Sequence, residues 1–186
     1  MTLVVAGPGM SAGAVSQAST IDVDVKALRT RRLGLIQPHG EHQMHIKLEE
    51  KDELLELPQS LFSLVELRFG TVVRVRSALH DEHRTPADGL ALAHEFAERL
   101  AQLGFESASE EISDAAVLKQ LDAHDRAQAS GWCGPWGSAA LRAEVSIKRT
   151  VEAGTQLAEV MEMDHDGCVV SLVVWDDALD RMGAAP

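Results

Sequence analysis

Residues 85–104 read TPADGLALAHEFAERLAQLG, and this stretch decides the fold class. Thr85 carries a side-chain oxygen that can cap a helix, Pro86 suits the first helical position, and Asp88 sits where the helix dipole favours negative charge. Leu92, Phe96, Leu100 and Leu103 recur at helical spacing, while Glu95, Glu98, Arg99 and Gln102 take the opposite side. Gly104 is the stop signal. A second helix is expected to start at Ser113, to carry Val117, Leu118 and Leu121, and to fade near Ser130-Gly131. His124, three residues after Leu121, is then expected in the core.

Away from these two helices the apolar period changes from helical to two, in both directions along the chain. Towards the N-terminus, Val65, Leu67, Val73 and Val75 interleave with Arg68, Arg74 and Arg76, which predicts a hairpin joined near Gly70. Gln43 to Glu49 reads as a strand with Met44, Ile46 and Leu48 on one face. Asp52 to Leu57 reads as a short helix stopped before Pro58, because a residue preceding proline is pushed out of the helical region. Ile21, Val23 and Val25 alternate with Asp22, Asp24 and Lys26, the pattern of a further strand. Lys26, Arg29, Arg31 and Arg32 follow as a solvated basic turn. Towards the C-terminus, Leu141 to Val151, Thr155 to Met163 and Cys168 to Trp175 form a three-stranded meander, turning at Ala153-Gly154 and at Asp164 to Gly167. Strand runs on both sides of two adjacent helices predict an α+β fold: a largely antiparallel sheet with two main helices packed on one face.

The chain has 186 residues and a formal net charge of −12. That length suits one domain, expected over residues 20–186. The first 21 residues carry no charged side chain, and Gly7-Pro8-Gly9 with scattered Gly and Ser predicts a flexible tail over residues 1–19. Leu3 to Ala6 is too short for the apolar core of a secretory signal, and Met10 is an alternative start. The acidic balance repels nucleic-acid phosphates and anionic lipid, so neither nucleic acid nor membrane is an expected partner. Two cysteines, Cys133 and Cys168, make no disulfide scaffold, and a reducing, cytoplasmic setting is the expectation.

Trp132-Cys133-Gly134-Pro135-Trp136 resembles the thioredoxin active-site run, with Trp136 in place of its second cysteine. Dithiol exchange needs a resolving thiol at that position, so Cys133 is expected to have no redox role. Ile36 to Gly40 is similar to a short run in the chromophore-binding part of bacterial phytochromes, but no attachment cysteine precedes it. His39, His42 and His45 recur at intervals of three, yet on a strand His42 and His45 point to opposite faces. No metal site and no cofactor are expected. Phosphate-loop, dinucleotide and serine-hydrolase patterns are also absent from the sequence.

What remains is charge. Between Glu159 and Asp180 the chain carries seven acids and no Lys or Arg. The function expected from size, charge and lack of catalytic signatures is a non-catalytic, acidic protein-binding domain. A bacterial immunity or antitoxin-like protein that neutralises a basic toxin is the foremost form of it. Its expected partner surface comprises Asp164, Asp166, Asp176 and Asp177, with Trp132 and Trp136 as aromatic anchors. The alternative is a small enzyme or ligand-binding domain with a pocket between helices and sheet, which convergent carboxylate and histidine would favour.

Overall fold

The computed structural model describes residues 2–48, 54–60, 62–80, 82, 84–108, 113–133, 140–151 and 167–182. In chain order the elements are β1 (Thr2–Ala6), α1 (Ala12–Ala18), α2 (Val25–Thr30), β2 (Gly34–Ile36), β3 (His42–Lys47), β4 (Leu54–Ser60), β5 (Ser63–Arg68) and β6 (Thr71–Ala78). They continue as α3 (Pro86–Gln102), β7 (Glu106–Ser107), α4 (Asp114–His124), β8 (Arg126–Cys133), β9 (Leu141–Val151), β10 (Gly167–Asp176) and α5 (Asp177–Met182). A seven-stranded sheet has the order β2-β5-β6-β10-β9-β8-β7, and a three-stranded sheet the order β1-β3-β4. Every pairing in the large sheet is antiparallel. The one parallel pairing among the described strands joins β1 to β3.

Helix α3 is bounded as its residues dictate. The Thr85 hydroxyl accepts from the Asp88 N–H at 3.2 Å, and Gly104 takes a positive φ of 86° just past the end. Gly89 lets the helix approach the sheet: a Cβ there would stand 2.9 Å from Cys168 Sγ and 3.3 Å from Val170 Cγ2. Cys168, Val170 and Ile147 therefore lie on the helix-covered face, together with Leu172 and Val174 by the alternation of β10. Helix α4 packs on β8 and β9. These elements and the small sheet share one contiguous apolar cluster, which includes Val4, Met44, Ile46, Val65, Phe96, Leu121 and Leu172.

The α+β class with helices on a largely antiparallel sheet is present, as is the β5–β6 hairpin. Its turn is Phe69-Gly70, with φ of 47° and 78°, the doubly positive backbone of a tight two-residue turn. Several local expectations are corrected. The expected tail over residues 1–19 is instead β1 and α1. Val4, Ala6, Ala12 and Val15 are fully buried; the intervening loop is tied to β6 through Gly9 N–H to Val72 O at 2.9 Å, and the start of α1 to the β5–β6 turn through Ala12 N–H to Gly70 O at 2.7 Å. Absence of charge here reflects burial.

The strand expected from Ile21 is the approach to α2, because the Asp24 carboxylate caps the Ala27 N–H at 2.9 Å and Leu28 turns inward. The short helix expected before Pro58 is strand β4. Leu55 and Leu57 are buried while Leu54 and Glu56 face solvent, and an edge strand tolerates the donor that Pro58 lacks. Helix α4 ends early, at Asp125 with φ 54°, and residues 126–133 continue as β8 with Ala127 buried between exposed Arg126 and Gln128. His124 is exposed, not in the core. Thr155 to Met163, expected as a middle strand, lies outside the described residues. Strands β9 and β10 pair with each other directly, and β8 completes an antiparallel run of three. No helix among the described residues is long and apolar enough to cross a membrane.

Candidate functional site

Two polar arrangements sit where the sheets and helices meet. The first is a buried chain of hydroxyls that links the two sheets. His42 on β3 is 1% exposed. Its Nδ1–H donates to Gly40 O at 2.8 Å, which in the neutral ring leaves Nε2 to accept the Ser63 hydroxyl, also at 2.8 Å. Ser63 Oγ lies 2.8 Å from Ser77 Oγ, which lies 3.1 Å from Ser60 Oγ. Ser60 in turn donates to backbone carbonyls of Phe62 or Ala78. The Ser63–His42 pair has the geometry of a nucleophile on its base, but Ser63 is also 1% exposed, so no substrate reaches it. Its role is to satisfy buried polar groups across the joint between sheets. Ser63→Ala leaves His42 Nε2 without its donor and is expected to cost about 1–3 kcal/mol, read as a lower urea midpoint with an unchanged slope.

The second arrangement is a cleft of about 560 Å³ between β4, the end of β6 and α3. Leu57, Leu79, Leu92 and Phe96 form its apolar walls, and Arg84, Arg99, Glu56 and Glu95 its polar groups. Arg99 is held in place: its guanidinium stacks over the Phe96 ring at 4.7 Å and donates to Glu56 O at 2.9 Å. His80 also lines the cleft. Its Nδ1–H donates to Glu82 O and its Nε2 accepts from Val170 N–H at 2.9 Å, so both ring nitrogens are engaged by backbone. The cleft thus brings a histidine together with carboxylates, yet this histidine is positioned to pin β10 and not to exchange protons.

No family model, curated protein or solved structure matches this chain. Trp132 on β8 is half-buried against the core, with its Nε1–H donated to Ser130 Oγ at 3.0 Å. The Asp176 carboxylate accepts from Ala178 N–H and Leu179 N–H at 2.8 and 3.0 Å and so starts α5. Asp177 accepts from Trp175 Nε1–H at 2.7 Å and faces Arg142 Nε at 3.3 Å. Trp136, Asp164 and Asp166 lie outside the described residues. Of the three histidines at intervals of three, His39 is exposed, His42 is buried in the serine chain, and His45 faces away from it with Nε2 buried and unpartnered. They do not converge. Among the described residues no group of three or more His, Cys, Asp or Glu side chains is arranged to hold a metal ion.

Strand register also sorts the charges. Arg74, Arg76, Arg126, Arg142 and Lys148 share the sheet face opposite the helices. Acids pair with several of them: Asp180 lies 3.0 Å from both Arg68 and Arg74, and Glu144 lies 3.4 Å from Arg126. The helical layer and its flank carry exposed carboxylates at Glu95, Glu98, Glu106, Asp114, Asp122 and Asp125, of which Asp122 and Asp125 face Arg149 at 2.6 and 3.8 Å and Asp114 faces His94 at 2.7 Å. Sequence spacing missed Arg84 and the cleft, because their neighbours come from β4, β6 and α3, which only the tertiary fold assembles.

Proposed function

We propose that this chain is a non-catalytic protein-binding domain that engages a basic protein partner, in the manner of an immunity or antitoxin-like protein. What supports the reading is the separation of charge between layers: exposed carboxylates on the helical side, cations gathered on the opposite sheet face and partly neutralised there. Asp122 and Asp125 share Arg149 and Asp114 meets His94, so Glu95, Glu98 and Glu106 carry most of the acidic potential, which attracts a basic partner over a Debye length, speeds encounter and disfavours acidic competitors. Asp176 and Asp177 are committed to capping and to Arg142, so the acidic surface of this proposal is that of α3, α4 and β7.

The test is association kinetics with the purified products of neighbouring reading frames. A basic partner should bind with a rate that falls steeply as salt rises. Glu98→Lys combined with Glu106→Lys should slow association about tenfold at low salt while leaving the fold intact. No binding by any neighbouring product, or a rate indifferent to salt and to both reversals, refutes the reading. The cleft beside α3 favours a second reading, a ligand-binding domain.

A further inference from the structure

Arg84 occupies an unusual position in the cleft. Its backbone is fixed by reciprocal bonds with Cys168, 3.0 Å from Arg84 N–H to Cys168 O and 2.8 Å from Cys168 N–H to Arg84 O. The side chain lines the cleft, and its Nε is buried with no hydrogen-bond partner. A guanidinium N–H removed from water and left unpaired is costly, and the described residues of the chain supply no acceptor for this one. Arg99, the other cation of the cleft, is already held by the Phe96 ring and the Glu56 carbonyl.

We propose that this cleft binds a small organic monocarboxylate, with the carboxylate on the Arg84 guanidinium and the apolar body against Leu57, Leu79, Leu92 and Phe96. The planar guanidinium fork matches a carboxylate in two parallel hydrogen bonds. The volume, about 560 Å³, falls in the range of roughly 300–1,000 Å³ typical of small-molecule sites. Glu56 and Glu95 line the same cleft and disfavour a second negative charge on the ligand, which selects a monoacid over phosphate or a diacid. The apolar walls select an acid with a hydrocarbon body over acetate or formate. The cleft shares Glu95 with the proposed protein-binding surface, whereas Glu98 and Glu106, the two positions reversed to test that surface, take no part in lining it.

Calorimetric titration of the whole chain at fixed ionic strength with hexanoate, benzoate, 1-hexanol and inorganic phosphate tests the proposal. Hexanoate and benzoate should bind saturably and one-to-one, with phosphate and hexanol roughly tenfold weaker or worse. Arg84→Gln should weaken hexanoate by roughly tenfold. Glu95→Gln, a change at an exposed position that the fold tolerates, should tighten it about twofold by removing a like charge. Should Arg84→Gln fail to fold by circular dichroism, Leu92→Trp serves instead, since the indole fills the cleft and should abolish hexanoate binding. No saturable binding of either acid at millimolar concentration overturns the proposal. So does phosphate binding as tightly as hexanoate, or hexanoate affinity unchanged in Arg84→Gln or Leu92→Trp.

Discussion

Gly7→Ala is expected to lose about 4 kcal/mol of stability and about 10 °C in melting temperature, a large share of the roughly 5–15 kcal/mol that holds a domain together. A Cβ on residue 7 would stand 1.8 Å from Lys47 O and 2.8 Å from Lys47 C. These are backbone atoms of the neighbouring strand and cannot rotate aside. The methyl group therefore pushes the end of β1 off β3 and strains the register Val5↔His45 and Ala6↔Ile46. Val4 and Val5, at 0% and 7% exposure, then begin to open to water, where each buried valine is worth about 1.5–3 kcal/mol. Gly40→Ala is the matched comparison. Gly40 has φ +71° with nothing within 4 Å of a Cβ, so only backbone strain acts and the expected cost is about 1–2 kcal/mol. Urea unfolding of both variants decides the matter. A Gly7→Ala midpoint no lower than that of Gly40→Ala contradicts the close approach of β1 to β3.

Phe96→Ala is expected to cost about 3–5 kcal/mol, the range for emptying a large aromatic site in a packed core. Phe96 is 1% exposed and is a member of the apolar cluster that joins α3 to the sheets. The substitution also removes the ring beneath the Arg99 guanidinium, held at 4.7 Å, so Arg99 loses a stacking partner as well as a fixed position on the cleft. Thermal unfolding should show a melting temperature lower by roughly 10 °C or more. A loss below about 1 kcal/mol would mean that α3 is not seated on the sheet by this side chain.

The fold is legible in the residues where a pattern is local and long. Helix α3 carries its own cap, its proline and its stop, and β3 shows its inward face through Met44 and Ile46, fully buried like Leu48 just beyond its end. A short segment that takes its conformation from distant neighbours carries no such pattern. Leu3-Val4-Val5 is an apolar run too short to announce a strand, and β3, some forty residues later in the chain, supplies its hydrogen bonds. Asp52 to Leu57 suited a short helix stopped before Pro58, but the alternate burial of Leu55 and Leu57 beside β3 makes Leu54 to Ser60 an edge strand. For the site, composition revealed the acidic character, whereas the expected carboxylates Asp176 and Asp177 proved to be bound to α5 and Arg142.

By itself the sequence determined the α+β class, helix α3 with both of its ends, the β5–β6 hairpin, the inward face of β3 and the net charge of −12. Each of these rests on spacing within a few residues, or on a sum that ignores position. Only the tertiary structure makes the uncharged N-terminus a core strand, commits the ring nitrogens of His42 and His80 to Ser63 and to backbone, and buries the Arg84 Nε beside a cleft with apolar walls. These outcomes depend on which strands become neighbours, and a hydrogen-bond partner or a desolvated charge is a property of that neighbourhood and not of the residue.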